Sequence, residues 1–284
     1  MKKAFLIFLS IVFLIAVYFL LALSPVLYSG KDTFEKEANI VLTGHRGAAG
    51  LAPENTLSAI QKGIDNKVDR IEIDVQQTKD NVVISLHDIS IDRTTDGAGL
   101  VKDLTYKEIL KYSAGIKFSE KFKDEKVPTL DEVLKLVNGK AVLIIEIKEG
   151  NDYYPGIEQR VIDAIYKFNA KAWVIVHSFN DKALEKVREI DETIELHKLF
   201  YVDFPFIPLI NDGKFRITNL EHYDYVTEIS TFYPFTTQRL VDKVHKLNKK
   251  INVWTVNDSI KINRLINMGV DGIITDYPNY LKRK

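Results

Sequence analysis

RIEIDVQQTKDNVVISLHD, running from Arg70 to Asp88, is the stretch that decides how this chain is read. Its first six residues alternate: Arg70, Glu72 and Asp74 fall on one face of a strand, Ile71, Ile73 and Val75 on the other. A second β-branched run, 82–86, follows Lys79-Asp80-Asn81 and ends at His87-Asp88. So short a break cannot hold a crossover helix. The two runs are therefore expected to pair like a hairpin, with one strand partly outside the regular sheet. Glu72 and Asp74 would be forced together, and two adjacent carboxylates repel. A divalent cation is the simplest remedy, and oxygen ligands suit Ca2+ or Mg2+.

Outward from this stretch the same punctuation repeats. Further strands are expected at 40–43, 142–147, 173–177, 195–201, 225–229, 251–256 and 272–275. Helical patterns lie at 56–66, 129–137, 156–168, 181–190, 237–247 and 259–268. Thr129 with Glu132 has capping-box spacing, and Gly269 is a C-terminal stop. Asn55 or Thr56 caps the helix entered at Pro53. Alternation of this kind implies parallel strands with crossover helices. The nearly continuous apolar strands imply that both sheet faces are covered. The fold expected is α/β, a TIM-type (β/α)8 barrel, for which 284 residues is an ordinary size. Residues 88–128 read as an extended loop with a short helix at 105–112. The irregular stretch 204–223 gives no assignment.

Two more motifs end on apolar runs. VLTGHRGAAGLAPENT spans Val41 to Thr56, and LIIEIK spans Leu143 to Lys148. Glu146 and Lys148 repeat the two-residue spacing of Glu72 and Asp74. In a barrel, inward residues at C-terminal strand ends share one mouth, so Glu146 would add a third carboxylate to the cation site. His45 and His87 each follow a strand and can flank a phosphate as general base and general acid. Arg46 offers a planar fork to phosphate oxygens. Its competing role is a salt bridge to Glu54 or Asp276. Trp254 serves either as an apolar wall along the mouth for a glycerol or alcohol group or as core packing. His177, His197, His222 and His245 have no such context and are read as structural.

Taken in order, HRGAAGLAPENT, EIDVQQTKDNVVISLHD, DRTTDGAG, VPTLDEVL, LIIEIK, HSFN, VWTVND and GVDGIITDYP resemble the glycerophosphodiester phosphodiesterase family over nearly all of 39–280. The resemblance implies a TIM-type barrel and metal-dependent hydrolysis of glycerophosphodiesters to an alcohol and glycerol phosphate. It implies Glu72, Asp74 and Glu146 as metal ligands, His45 and His87 as the acid/base pair, and Arg46 and Lys148 as phosphate holders. The chain departs from the family at Lys249-Lys250, where a glycine is common, and over 199–235, the stretch expected to shape the alcohol side.

Net charge is +0, which argues against a general nucleic-acid binder, and the absence of cysteine excludes disulfides and thiolate metal sites. Lys2 and Lys3 precede an uncharged, strongly apolar stretch, 4–24, long enough to cross a bilayer as a helix. Pro25 directly after Ala22-Leu23-Ser24 opposes signal cleavage there. The expected plan is a transmembrane anchor at 1–29, a charged stalk at 30–38 and a catalytic barrel at 39–284. The leading lysines place the N-terminus in the cytoplasm and the barrel outside, at the cell membrane. The substrate expected is a small or lipid-derived glycerophosphodiester, with one divalent cation as cofactor. A lysophospholipase D working on membrane lysolipid and a non-catalytic phosphodiester-binding barrel are the alternatives, and a polymeric glycerophosphate is conceivable. Whether water or a substrate hydroxyl attacks is open.

Overall fold

A computed structural model describes residues 40–204 and 209–281; the expected anchor and stalk lie outside them. Eight parallel strands close into a barrel: β1 (Val41–Gly44), β2 (Arg70–Gln77), β4 (Val142–Ile147), β5 (Val174–Ser178), β6 (Glu195–Phe200), β10 (Glu228–Phe232), β11 (Lys250–Trp254) and β12 (Gly272–Thr275). Closure comes from β1, which pairs in parallel with β12 on one side and β2 on the other. β3 (Val83–Ser85) pairs antiparallel with the far end of β2, outside the eight, as the short Lys79–Asn81 break requires.

Strand alternation separates two environments. Ile71, Ile73, Val75, Leu143, Ile145, Val176 and Val253 face outward into a core shared with the helices. Those helices are α1 (Leu57–Asp65), α3 (Leu130–Val137), α4 (Ile157–Lys167), α5 (Asp181–Ile190), α6 (Gln238–Lys246) and α7 (Ser259–Asn267), with one-turn α2 (Tyr106–Ile109) before α3. In α3, Leu130, Val133, Leu134 and Val137 are buried at helical spacing, and each fully buried side chain contributes about 1.5–3 kcal/mol. Thr129 and Glu132 form the expected capping box. Thr56, rather than Asn55, caps α1 by accepting from Ala59 N. The alternate strand residues, Arg70, Glu72, Asp74, Glu146, His177, His197 and Glu228, are buried polar groups.

Two expectations need correction. β10 begins at Glu228, three residues later than the 225–229 reading. Ser230 and Thr231 looked like the end of an apolar run, but both are buried in the ladder, opposite Leu199 and Phe200 of β6. The helix at 105–112 shortens to α2, with its own capping box at Thr105 and Glu108. The loop around it is ordered on a satellite core of Ile84, Leu86, Ile91, Val101, Ile109, Ala114 and Val127. In the stretch without an assignment, among the described residues no α-helix joins β6 to β10. The connection carries a small antiparallel sheet, β7 (Val202–Asp203), β8 (Leu209–Asn211) and β9 (Phe215–Ile217), then a 3-10 turn at Leu220–Tyr223.

Candidate active site

The site is assembled where β1, β2, β4, β5 and β12 end. Directly after β1, His45 N donates to Thr275 O of β12. Arg46 then takes a left-handed conformation (φ 49°), so that its backbone N–H donates to Glu72 Oε2 at 2.9 Å. Gly47, at φ 90°, continues the turn and donates to Glu72 O. A Cβ there would lie 2.5 Å from the backbone of Ala59 in α1, so glycine is required both by conformation and by space.

Each expected acid/base histidine is oriented by a carboxylate. His45 Nδ1 lies 2.6 Å from Asp276 Oδ1, and Asp276 is fixed in turn by Asn257 Nδ2. His87 Nδ1 lies 2.6 Å from Asp88 Oδ1, while Lys148 Nζ is 3.0 Å from His87 Nε2. A chain of ion pairs links the two sides: Arg46 Nη1 to Glu54 at 2.7 Å, Glu54 to Arg93, and Arg93 Nε to Asp88 at 2.6 Å. The competing role foreseen for Arg46, a salt bridge to Glu54, is therefore present.

Three carboxylates are buried together here. Glu72 Oε1 and Glu146 Oε2 each lie 3.8 Å from His177 Nε2, and Lys148 Nζ is 2.8 Å from Glu146. Asp74 lies beside this group, accepting from Asn55 Nδ2 at 2.8 Å, with Lys148 and Arg46 each 3.4 Å away. Burial disfavours the Asp74 anion, but Lys148, Arg46 and the Asn55 bond outweigh it and hold its carboxyl well below the usual range. Burial pushes Glu146 up, helped by Asp74 and Glu72 and opposed by Lys148 and His177. Burial also opposes the His45 imidazolium, yet the bond to Asp276 and the charge of Glu72 raise its pKa.

A cation fits this arrangement. Glu72 Oε1 and both His177 nitrogens are buried without a hydrogen-bond partner, a costly state unless another group is bound. One ligand atom from each of Glu72, Glu146 and His177 lies within 4.8 Å of the others. The residues line one cavity of about 110 Å3, which also takes in His45, Arg46, His87, Lys148, Phe179, Tyr201 and Trp254. Trp254 thus borders this cavity, packed against Phe179, Tyr201 and Phe232.

His177, read as structural, belongs to this cluster. Its signal was the one used for His45 and His87, a histidine at the end of a strand. Asp88 has no role in the sequence reading, Asp276 enters it only as a partner of Arg46, and Asn55 only as a helix cap. Asp88 adjoins His87 and Asp276 follows a strand end, so both were visible as candidates, but neither pairing was.

A closed parallel barrel that gathers two histidines, Arg46, Lys148 and buried carboxylates at its C-terminal strand ends fits a phosphoryl-ester enzyme. The glycerophosphoryl diester phosphodiesterase family model matches residues 45–280, and the chain belongs to that family as an enzyme. It is 39% identical over 242 residues to a glycerophosphodiester phosphodiesterase of Caldanaerobacter subterraneus subsp. tengcongensis, covering 85% of this chain and 96% of that one. A glycerophosphodiester phosphodiesterase of Bacillus subtilis is 31% identical, covering 90% of each chain. Among solved structures, an Oleispira antarctica phosphodiesterase in complex with the product sn-glycerol-3-phosphate superposes with a TM-score of 0.72 at 26% identity, over 84% of this chain and 94% of that one.

Proposed function

We propose that this chain hydrolyses glycerophosphodiesters to an alcohol and glycerol 3-phosphate with one divalent cation. The observation that carries the reading is that two carboxylate-oriented histidines share a small cavity with the Glu72, Glu146 and His177 cluster. Glu72, Asp74 and Glu146 would hold Ca2+ or Mg2+, hard cations suited to carboxylate oxygens, with His177 beside them. Such a cation supplies charge neutralisation and polarisation at phosphate oxygens.

The rest follows from the chain's own groups. Arg46 and Lys148 face the cavity as cations and hold the remaining phosphate oxygens. His45 and His87 divide the proton transfers: one takes the proton of the attacking hydroxyl, the other gives a proton to the leaving alkoxide. Asp276 and Asp88 accept from the Nδ1 atoms, which turns each Nε2 toward the cavity, where His87 Nε2 meets Lys148 Nζ at 3.0 Å. Trp254 closes the mouth as an apolar wall. Every residue of the acid/base and carboxylate set is present, which favours turnover over a non-catalytic barrel. The 4–24 stretch would anchor residues 1–29 in the membrane, with 30–38 as stalk and 39–284 as the barrel outside the cytoplasm.

The test is release of glycerol 3-phosphate from glycerophosphocholine by the full-length chain, with Ca2+, Mg2+ or EDTA. Turnover should need a divalent cation and fall by about 10²–10⁴-fold in His87→Ala. Full activity in His45→Ala or Glu72→Ala protein would refute the assignment.

A further inference from the structure

Lys198 is the one buried lysine among the described residues, and none of its surface is exposed. It lies on β6 between Leu196 and Phe200, whose side chains share its face and join the core outside the barrel. On that face the register carries apolar residues across the neighbouring strands, with Ile145 of β4 beside Val176 of β5 and Val176 beside Leu196. A lysine there has lost its hydration, and only close, well-placed partners offset the cost. Those partners come from the turn after β5 and from the β6-to-β10 connection, where a small sheet stands in place of a crossover helix.

Lys198 Nζ donates to Phe179 O at 2.6 Å and to Asp212 Oδ2 at 2.9 Å, and it lies 2.7 Å from Asp181 Oδ1. Arg216 of β9 completes the group, donating from Nη1 to Asp181 Oδ2 at 2.7 Å with Nε 3.0 Å from Asp212 Oδ2. Two cations thus face two carboxylates. One side chain ties the turn after β5, the start of α5 and the β8–β9 turn together. Beside it, Tyr201 N donates to Asn211 O at 2.7 Å, so the end of β6 is held by the residue before Asp212. The two residues secured in this way stack on each other, with the Phe179 and Tyr201 ring centroids 5.0 Å apart and 22° between the planes. Phe179 also meets Trp254 edge-on at 5.5 Å, and Lys148 Nζ lies 5.9 Å from the Phe179 centroid. Phe179, Tyr201, Trp254 and Lys148 all line the catalytic cavity, while Lys198 lies behind it.

We infer that Lys198 is a positioning residue for the phosphodiester site. By holding Phe179 O and Asp212 together, it fixes the Phe179–Tyr201 wall beside Lys148, the cation that would hold phosphate. This rests on the phosphodiesterase reading and adds to it a residue that acts through Phe179 rather than on substrate. Stability alone gives little reason for ions here, because a buried ion group replaced by apolar side chains of like volume is often as stable. The charges add direction. An apolar side chain would fill the space but leave Phe179 O without its Nζ donor, and packing alone would then set where the ring lies.

The experiment removes one charge of each sign with Lys198→Met/Asp212→Asn in the full-length chain and follows glycerophosphocholine turnover with divalent cation. We expect kcat/KM to fall by about 10- to 100-fold, mainly through KM, because the wall orients substrate and transfers no proton. Phe179→Ala should raise KM by a similar factor, and adding the double change to it should cost little more, since both act through one ring. A Trp173→Phe background leaves Trp254 as the sole tryptophan. There the double change should increase acrylamide quenching of its fluorescence. A lower Tm with wild-type KM and quenching would make the network purely structural and overturn the inference. A KM effect that adds in full to that of Phe179→Ala would overturn it as well. Should the double variant not fold, Asp212→Asn, which leaves Lys198 beside Asp181, reads the same quantities with the same deciding outcomes. Absence of turnover in the wild type would sink the phosphodiesterase reading and the kinetic role with it. The quenching comparison needs no turnover, and an unchanged signal there would separately refute the hold of Lys198 on the wall.

Discussion

Replacing Asp276 with asparagine removes one charge and one acceptor from the far side of His45. In the wild type, Oδ1 takes the Nδ1 proton of His45 at 2.6 Å and Oδ2 takes an Asn257 amide proton at 2.5 Å. Asparagine has one oxygen for those two donors. With the oxygen toward Asn257, its NH2 meets His45 Nδ1 and moves the ring proton to Nε2, the nitrogen on the substrate side. With the oxygen toward His45, two NH2 groups face each other at Asn257. Loss of a charge-assisted bond costs about 1.5–3 kcal/mol, or roughly 10- to 150-fold. The wrong tautomer removes the proton transfer as well, about 10²–10⁴-fold. We expect Asp276→Asn to lower kcat by at least about 100-fold with KM little changed. Asp276 raises the His45 pKa, so the His45 limb of the pH–rate profile should also move to lower pH in the variant. A steady-state assay of glycerol 3-phosphate release across pH reads both effects, and Asp276→Glu should recover part of the rate. An unchanged kcat and an unmoved limb would refute the role given to His45.

Gly47→Ala puts a Cβ 2.5 Å from the α1 backbone at a φ of 90°, so it should cost more than about 1 kcal/mol and lower Tm by several degrees, read by calorimetry. If Glu72 and Glu146 hold a cation, saturating Ca2+ or Mg2+ at about 100 times its Kd should stabilise the protein by about 2.7 kcal/mol over EDTA; a Tm that ignores the metal, or one still raised in Glu72→Gln/Glu146→Gln, would refute this. The barrel floor should make stability bell-shaped in pH. The bond to His197 draws Glu195 down from 4.5 to about 2, so its contribution is present above about pH 4.5 and lost as pH falls toward 2. Burial opposes the His197 imidazolium, but Glu228 and Glu195 raise its pKa above 6.5, so its share is full below 6.5 and lost as pH rises through the raised value. Tm measured across pH should flatten on the acid side in Glu195→Gln.

The order of elements was legible in the residues because the outward strand faces and the amphipathic helices obey local periodicities. β4 and β12 fall on the 142–147 and 272–275 runs, and helix starts such as Thr129 are set by side chains a few positions away. Glu72, Asp74 and Glu146 could be grouped from sequence because two of them share a strand face and a barrel gathers strand ends. The interior was harder to read. Its polar layer contributes no apolar period, which is why β10 was read three residues early at Ser230 and Thr231. The β7–β9 sheet has strands of two or three residues, too short for any period to register. Contact between distant groups was not written in the local sequence at all. His45 and Asp276 are 231 positions apart and meet only because β12 pairs with β1 to close the barrel. His177 faces Glu72 and Glu146 only because β5 lies beside β4 and β4 beside β2. The sequence by itself determined which segments become strands and helices and which residue types end them. The tertiary structure alone decided which of those ends meet, because strand register and closure are set by packing the whole core at once.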